Sequence, residues 1–289
     1  MSARHAVRVA RYYDANTEPF YLHFWDREEI HFGLFGRGNG LGDLRRALKR
    51  MTAAVVSPAS IASGDRVIDI GCGVGGAALD ITSRTACAVL GLTISPIQVS
   101  IGRKLARARR LGKRARFRVT DCSRELPVRD GSVDVAYSIE AACHFVDKDR
   151  FVRECARVLK PGGRLALSDW MAADGTSERE YELFLAPVCS AWHLAGLDTP
   201  SRWRDRLRAH GFEVKQCADF GKAVLPNLHF LRHGRLDLLL EEANGCHTPR
   251  QRALWKLQYD VLIHAWAQRQ FTIGRLLAIR RDSMPLSGR

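Results

Sequence analysis

The sequence predicts an α/β protein with a seven-stranded, mostly parallel sheet, an antiparallel last pair of strands and helical caps. Two observations support this prediction. From residue 67 onward, short apolar runs alternate with segments of helical spacing, as in parallel strands joined by crossover helices. Residues 67–76 (VIDIGCGVGG) combine a buried strand with a glycine-rich turn that opens a helix. The 289 residues suffice for one such domain with insertions.

The individual elements follow from apolar runs and their end signals. Pro96 suits a first helical position, which predicts a helix over 96–111. Asp147 caps a second helix, whose apolar positions recur at helical spacing up to Leu159, and residues 160–163 (KPGG) stop it. The predicted strands are 67–70, 88–92, 116–120, 133–138, 164–169, 212–217 and 271–279, with a first crossover helix at 77–83.

Three segments lie outside this alternating frame. An N-terminal arm (1–60) precedes the main domain (61–289), which carries insertions at 171–200 and 221–270. Chain inserted at the carboxyl ends of parallel strands lies beside the ligand crevice. We therefore expect the insertions to build a substrate chamber. We expect the arm to cover the ligand as a lid, either within its own chain or exchanged between the subunits of a homo-oligomer.

Composition narrows the class of protein. No apolar stretch approaches the length of a membrane-spanning helix, and the N-terminus lacks the apolar core of a secretory signal. The eight cysteines form no C-x-x-C pair, a pattern that suits neither zinc nor an iron–sulfur cluster. We expect no metal, and reduced thiols in a cytoplasmic protein.

The formal charge of +14 is concentrated in residues 103–118 (RKLARARRLGKRARFR). This run is either a solvated helix face or a surface for a polyanion such as RNA or an anionic membrane. No aromatic residue precedes Phe117 within the run, and this weakens a base-stacking role. Nucleic acid is therefore not an expected partner.

The glycine turn fits a nucleoside that carries an ammonium group better than a dinucleotide that carries a pyrophosphate. Its spacing also satisfies G-x-G-x-x-G, but Asp69 stands two positions before the first glycine, where a carboxylate repels a pyrophosphate and attracts an ammonium group. The acid that a dinucleotide site places about 20 residues on, at the ribose, is absent from residues 91–93 (GLT). A purely structural glycine turn remains the other alternative.

Several motifs resemble those of class I S-adenosylmethionine (SAM) dependent methyltransferases, which implies a Rossmann-like fold and SAM as cofactor. They are VIDIGCGVGG, GLTISPIQ (91–98) and LKPGG (159–163). The TISPIQ form is similar to that of cyclopropane fatty acid synthases and sterol C-methyltransferases. Residues 138–145 (SIEAACHF) and the aromatic segment 12–35 resemble the sterol enzymes, and the short arm resembles actinobacterial natural-product enzymes, terpenoid C-methyltransferases among them.

The predicted cofactor contacts lie at successive strand ends. Thr93 and Gln98 replace the usual acid at the ribose, the Asp121 carboxylate accepts from the adenine amino group, and the Cys122 backbone N–H faces the ring. Ser138 points at the methionine half. Each residue taken alone could equally be an ordinary turn residue. The full predicted set is Tyr13, Asp69, Gly71, Cys72, Gly73, Thr93, Ile94, Gln98, Asp121, Cys122 and Ser138.

Eight aromatic residues crowd residues 12–35. Methylation of an alkene leaves a carbocation, which ring faces stabilise by about 0.5–2 kcal/mol each. This density favours a hydrophobic, terpenoid-like substrate, although half of these rings could instead form a small core for the arm. The predicted substrate-binding residues are Tyr12, Phe20, Tyr21, Trp25, Phe35 and Glu140.

The reaction ends with loss of a proton, after rearrangement or cyclisation in some variants. Candidate catalytic residues are Glu140, His144, His31 and Tyr21, and for each histidine and the glutamate a structural hydrogen bond is the competing interpretation. We therefore predict a C-methyltransferase that acts on an isoprenoid and releases S-adenosylhomocysteine (SAH). The alternatives are a small-molecule O- or N-methyltransferase, a membrane-lipid methyltransferase or cyclopropane synthase, an RNA methyltransferase, and a non-enzymatic SAM-binding protein.

Overall fold

A computed structural model describes residues 2–36, 43–230 and 248–282. The strands are β1 Arg66–Ile70, β2 Ala88–Thr93, β3 Ala115–Val119, β4 Val133–Ile139, β5 Leu159–Ala172, β6 Phe212–Asp219 and β7 Phe271–Arg280. The helices are α1 Ser2–Asn16, α2 Leu44–Val56, α3 Gly76–Thr85, α4 Pro96–Ala108, α5 Lys148–Val158, α6 Glu178–Glu180, α7 Ala186–Trp192, α8 Pro200–Ala209, α9 Gly221–Phe230 and α10 Pro249–Ala267. Two π-helical segments, Thr17–Trp25 and Tyr181–Leu185, continue α1 and α6.

The seven strands form one sheet in the order β3-β2-β1-β4-β5-β7-β6. The first five are parallel, whereas β7 runs antiparallel to both β5 and β6. The predicted fold class is confirmed. The strand order reverses between β1 and β4, so a crevice forms outside the carboxyl ends of these two strands.

Two elements, β5 and α4, differ from the prediction by three residues or more at an end. Strand β5 begins at Leu159, but Val133 pairs with Leu159 while Val135 pairs with Arg164, so the intervening KPGG residues form a bulge. Pro161 has no N–H to donate, and Gly162 adopts a φ of +72°, which explains the break in pairing. Helix α4 ends at Ala108 instead of Leu111, because Arg110 turns into the left-handed region.

The N-terminal arm does not form a core of its own. Helix α2 buries one face, including Met51 and Val55, in the same hydrophobic cluster as the sheet residues Val67 and Tyr137. Within the arm, the residues that line the cavity at the carboxyl ends of the strands fall between His5 and Phe32. The division at residue 60 therefore cuts through one continuous core.

The described ranges, with their gaps at 37–42 and 231–247, contain no helix that is both long and apolar enough to cross a bilayer.

Candidate active site

A cavity opens at the carboxyl ends of β1 to β5. Its empty volume is about 1380 Å³, counting the solvent at its open mouth. One end is formed by the glycine turn and the loops after β2 and β3. The other end is lined by aromatic side chains of the arm, of β5 and of the caps. This division suits a polar ligand with a reactive group that meets an apolar substrate.

The turn after β1 is shaped for a closely approaching ligand. Gly71 and Gly73 adopt φ angles of +79° and +54°, and a Cβ on Gly71 would lie 2.2 Å from the Cβ of Ala141. The backbone N–H groups of Gly71 and Cys72 both donate to the carbonyl of Leu92, which fixes the turn against β2. Gly71, Cys72 and Gly73, all predicted to bind the cofactor, line the cavity.

Asp69 lies beneath this turn and is only 3% exposed. Burial raises the pKa of its carboxyl to about 7. Within the described part of the chain, its Oδ2 atom makes no hydrogen bond of good geometry, although the neighbouring Tyr137 hydroxyl opposes part of the rise in pKa. A buried carboxylate oxygen without a donor is costly unless a ligand supplies one. The ammonium group of an amino acid fits this requirement.

The strand-end residues Thr93, Ile94, Gln98, Asp121 and Cys122 all line the cavity. Thr93 Oγ1 donates to Gln98 Oε1 at 2.6 Å, and Gln98 Nε2 donates to Thr17 Oγ1 at 3.2 Å. Thr93 and Gln98 are therefore hydrogen-bonded to each other, and Gln98 is also hydrogen-bonded to the arm.

At the next strand end, Asp121 accepts hydrogen bonds from the backbone N–H and the hydroxyl of Ser123.

Ser138 does not line the cavity, and this corrects the prediction. Its hydroxyl is fully buried and donates to the carbonyl of Ile70 at 2.8 Å. Strands β4 and β1 are neighbours in the sheet. The Ser138 side chain on β4 therefore lies next to the carbonyl of Ile70, the last residue of β1 before the turn. Ser138 thus supports the glycine turn from behind.

Glu140 directly follows β4 in a strained conformation, with a φ of +55°. Its carboxylate accepts the backbone N–H of Phe32, at 3.0 and 3.2 Å to the two oxygens, and Trp170 Nε1 at 2.8 Å. Burial raises the pKa of Glu140, against the opposing charge of His31. Glu140 therefore joins the arm to β5 at the wall of the cavity.

His31 also lines the cavity, but its two ring nitrogens are already engaged. Nδ1 donates to the Phe32 carbonyl at 2.8 Å, and Nε2 lies 3.0 Å from Glu29 Oε2. Burial opposes the charged form, but the hydrogen bond and charge of Glu29, with the charge of Glu140, raise the pKa of His31 to about 9. An imidazolium cannot accept a proton, so these contacts favour an ion pair with Glu29, and the catalytic role of His31 stays a prediction.

His144 has the opposite character. Its Nδ1 donates to the carbonyl of His193 at 3.0 Å, which leaves Nε2 to accept the Tyr13 hydroxyl at 3.0 Å. Burial lowers the pKa of His144 to about 4, so the ring is neutral near pH 7. Tyr13 and His144 both line the cavity. They form a neutral pair that can take a proton from a bound molecule.

Of the other aromatic residues predicted to bind substrate, some line the cavity and some do not. Tyr21 and Trp25 line the cavity, and the Tyr21 ring stacks on Tyr13 with centroids 6.1 Å apart. Tyr12 stands behind the wall, with its hydroxyl 3.1 Å from that of Tyr21. Phe35 is buried away from the cavity, because its backbone N–H donates to Ala223 and directs it toward α9. The side chain of Phe20 lies outside the described residues.

Comparison with known proteins identifies the family. Residues 68–167 match a family model described as "Methyltransferase domain". The chain is 30% identical over 260 residues to "Methyltransferase GfsG" of Streptomyces halstedii, which covers 88% of this chain and 89% of that protein. This chain belongs to the methyltransferase family. Its cofactor is S-adenosylmethionine.

Other relatives of this methyltransferase differ in the atom that their names specify. A "Glycine/sarcosine/dimethylglycine N-methyltransferase" of Actinopolyspora halophila is 32% identical over 82% of this chain, which spans 40% of that protein. A "Cycloartenol-C-24-methyltransferase" of Arabidopsis thaliana is 30% identical over 76% of this chain and 64% of its own length.

Solved structures show the same fold. The [4+2]-cyclase SpnF has a TM-score of 0.79 at 24% identity, over 96% of this chain and 97% of its own. Geranyl diphosphate C-methyltransferase from Streptomyces coelicolor has a TM-score of 0.74 at 18% identity, over 96% and 97% of the two chains.

The aromatic wall of this methyltransferase includes residues that the sequence did not single out. The rings of Phe32 and Trp170 stack at 5.3 Å and 13°, and Trp192 meets Trp170 edge-on at 5.3 Å. Tyr259 in turn packs on Trp192 at 5.2 Å. The segments 171–200 and 221–270 were predicted to build the chamber, but nothing local marked Trp192 or Tyr259. Trp170, at the end of β5, could have been found by its strand-end position.

Proposed function

We propose that this methyltransferase transfers a methyl group to an alkene carbon of an isoprenoid or prenylated small molecule. The observation that supports this proposal most directly is the run of rings from Phe32 through Trp170 and Trp192 to Tyr259 beside the cofactor end of the cavity. A chamber walled by ring faces suits a substrate that becomes a carbocation, because the faces stabilise the cation without trapping it.

The polar end of the cavity holds the cofactor in this proposal. When bound, SAM supplies an electrophilic methyl group on a sulfonium. Asp69 would accept hydrogen bonds from the ammonium group of its methionine half, and the glycine turn would hold the middle of the cofactor. Thr93 and Gln98 face the ribose, and Asp121 faces the adenine. The cavity lining supports this arrangement because all four side chains reach it.

Glu140 positions the aromatic side chains at the end of the cavity where the substrate reacts. By accepting from Phe32 and Trp170 at once, its carboxylate holds two rings in register at the cavity wall. Its negative charge also favours a developing cation nearby. Both oxygens are occupied by donors, which makes this carboxylate a poor nucleophile toward the cation. We therefore assign Glu140 a positioning and electrostatic role.

The Tyr13–His144 pair removes the final proton. The Tyr13 oxygen takes a proton from the carbon next to the cationic centre, while the Tyr13 hydroxyl proton passes to His144 Nε2. The electrons of the broken C–H bond become the new double bond. A ring with a pKa of about 4 is a weak base, yet the proton beside a carbocation is acidic enough to need no stronger one.

The same pair favours a second candidate function. A neutral imidazole behind a tyrosine can also deprotonate a hydroxyl or an amine, which is what a small-molecule O- or N-methyltransferase requires. The names of the relatives support both, since they include C- and N-methyltransferases. The fold shared with geranyl diphosphate C-methyltransferase, whose name specifies carbon methylation, supports the first candidate.

The position of the transferred label decides between them. The enzyme is incubated with ¹³C-methyl SAM and, in separate reactions, geraniol, geranyl diphosphate, cycloartenol, sarcosine and a simple phenol, and the product is analysed by carbon NMR. We expect the label on an alkene carbon of an isoprenoid probe. Label found only on nitrogen or oxygen would overturn the proposal in favour of the second candidate.

A further inference from the structure

Helix α1 presents an outward stripe that mixes arginine with valine. Positions i, i+3, i+4 and i+7 lie on one helix face, and the residues there are Arg4, Val7, Arg8 and Arg11, all exposed. The opposite face of the same helix lines the cavity through Ala6, Val9 and Tyr13. The stripe therefore lies on the outer surface of the wall that closes the cavity.

Two more exposed valines lie at the same rim. Val146 lines the cavity and is 50% exposed, and Val119 directly precedes the cavity-lining Thr120 and is 47% exposed. His5 Nε2 lies 3.1 Å from the carbonyl of His144, which brings the start of α1 close to Val146. Among the described residues, six large hydrophobic side chains are exposed; of these, Val146 lines the cavity, and Val7 and Val119 each adjoin a residue that lines it.

The charge at the rim is positive. Within residues 2–36, 43–230 and 248–282, the guanidinium groups of Arg4, Arg8 and Arg11 make no ion pair. Of the acids near α1, Glu28 pairs with Arg109, while Asp14 and Asp121 accept from serine hydroxyls, keep their charge and are outnumbered by the three arginines. The three arginines thus contribute directly to the surplus of +14.

We propose that this rim docks on an anionic lipid surface and opens the cavity toward the bilayer. Unpaired arginines attract acidic headgroups, and valines among them enter the interfacial layer. An occupant with both an anionic face and an apolar interior matches the mixture of side chains, whereas a polyanion such as RNA leaves the valines without a partner. An apolar molecule can then pass into the cavity without crossing water. The docking does not depend on which atom is methylated.

Vesicle sedimentation at low salt tests the proposal without SAM or substrate. The full chain is mixed with vesicles of phosphatidylcholine alone or of an equimolar mixture with phosphatidylglycerol. We expect binding to the anionic vesicles only, weakening as salt rises. The triple variant R4A/R8A/R11A should lower the partition coefficient by roughly 100-fold, from about a fivefold factor for each basic residue at the membrane.

A matched variant separates the rim from net charge. K104A/R107A/R110A removes the same three charges from exposed positions at the end of α4 and in the turn after it, away from the carboxyl ends of the strands. We expect this variant to lose less than tenfold. V7S/V146S should weaken binding as well, whereas L254S/L257S, on the exposed face of α10, should not.

Three results would overturn the proposal. The first is a wild-type protein that stays in the supernatant with anionic vesicles. The second is an equal loss of binding by the two triple variants, which would reduce the effect to net charge. The third is an RNA oligonucleotide that binds through Arg4, Arg8 and Arg11 and that anionic vesicles fail to displace. None of these results bears on methyl transfer, so the proposed function is tested separately.

Discussion

At the scale of single residues, Asp69 carries a charge that changes near neutral pH. Its pKa of about 7 means that the carboxylate needed for an ammonium group is progressively protonated below that value. We therefore predict that SAH binds more weakly as pH falls from 8 to 6. Asp69→Asn should lower the affinity by roughly 10- to 100-fold at pH 8, the loss of one charge-assisted hydrogen bond, and should remove the pH dependence.

Isothermal titration calorimetry with SAH at several pH values measures both effects. Asp80→Asn is the control, because Asp80 lies on α3 and pairs with Arg84 at the surface. An Asp69→Asn protein that binds SAH as tightly as the wild type would remove Asp69 from the cofactor site.

The ionisation of His31 predicts how the stability of the folded state depends on pH. Its pKa rises from 6.5 to about 9 on folding, so the folded state binds the proton more tightly than the unfolded chain. This contribution is fully present below pH 6.5 and is lost as pH rises through 9. It amounts to about 3 kcal/mol at most, from 1.36 kcal/mol per pKa unit.

Thermal unfolding between pH 6 and 9.5 tests this. The wild type should lose several degrees of Tm over that range, while His31→Gln should start lower and decline less. His210→Gln is the control, because that ring pairs with Asp149 near the surface. Parallel curves for wild type and His31→Gln would show that His31 is not the titrating group.

Residues tied to the local turn were predictable, and residues placed by tertiary packing were not. Asp69 and the glycines belong to one strand–turn–helix unit, so their neighbours in sequence fix their position. Ser138 faces the end of β1 because β4 pairs beside β1, and Phe35 turns toward α9 through a bond to Ala223. Neither contact leaves a trace in the local sequence.

At the scale of elements, the arm is attached to the cofactor end by polar contacts. The Ser95 hydroxyl donates to Asp14 at 2.5 Å, and Gln98 reaches Thr17. Both contacts join α1 and its π-helical continuation to the start of α4. We propose that the arm is the lid of this methyltransferase and closes over its own cavity, with exchange between subunits as the alternative in an oligomer.

Removing α1 should therefore weaken cofactor binding and stop turnover. We predict that deletion of residues 1–16 lowers SAH affinity at least tenfold, because His5, Ala6, Val9 and Tyr13 no longer cover the cavity. Circular dichroism should remain that of a folded α/β protein, since α2 still packs on the sheet. Glu18→Ala, at an exposed position of the arm, should bind normally. Unchanged affinity in the deletion would exclude a lid.

The seven strands were predictable because each has its own apolar run, and their order follows the usual crossover rules. The ring wall was not, because Trp170, Trp192 and Tyr259 come from β5, α7 and α10 and meet only in the folded chain. Sequence located the inserted segments of the chamber, but not Trp192 and Tyr259, the aromatic residues of these segments that line it.

At the scale of the whole molecule, ligand binding and folding are linked, because a ligand that binds only the folded state stabilises it. SAH at about 100 times its Kd should add about 2.7 kcal/mol, and Tm should rise by roughly 5–10 °C for a chain of this size. NAD⁺ at the same concentration should leave Tm unchanged, since Asp69 repels a pyrophosphate at the turn. Differential scanning calorimetry of the full chain measures both shifts. Stabilisation by NAD⁺ without stabilisation by SAH would mean that the buried carboxylate is not directed at an ammonium group, and the assignment of the polar end of the cavity would fail.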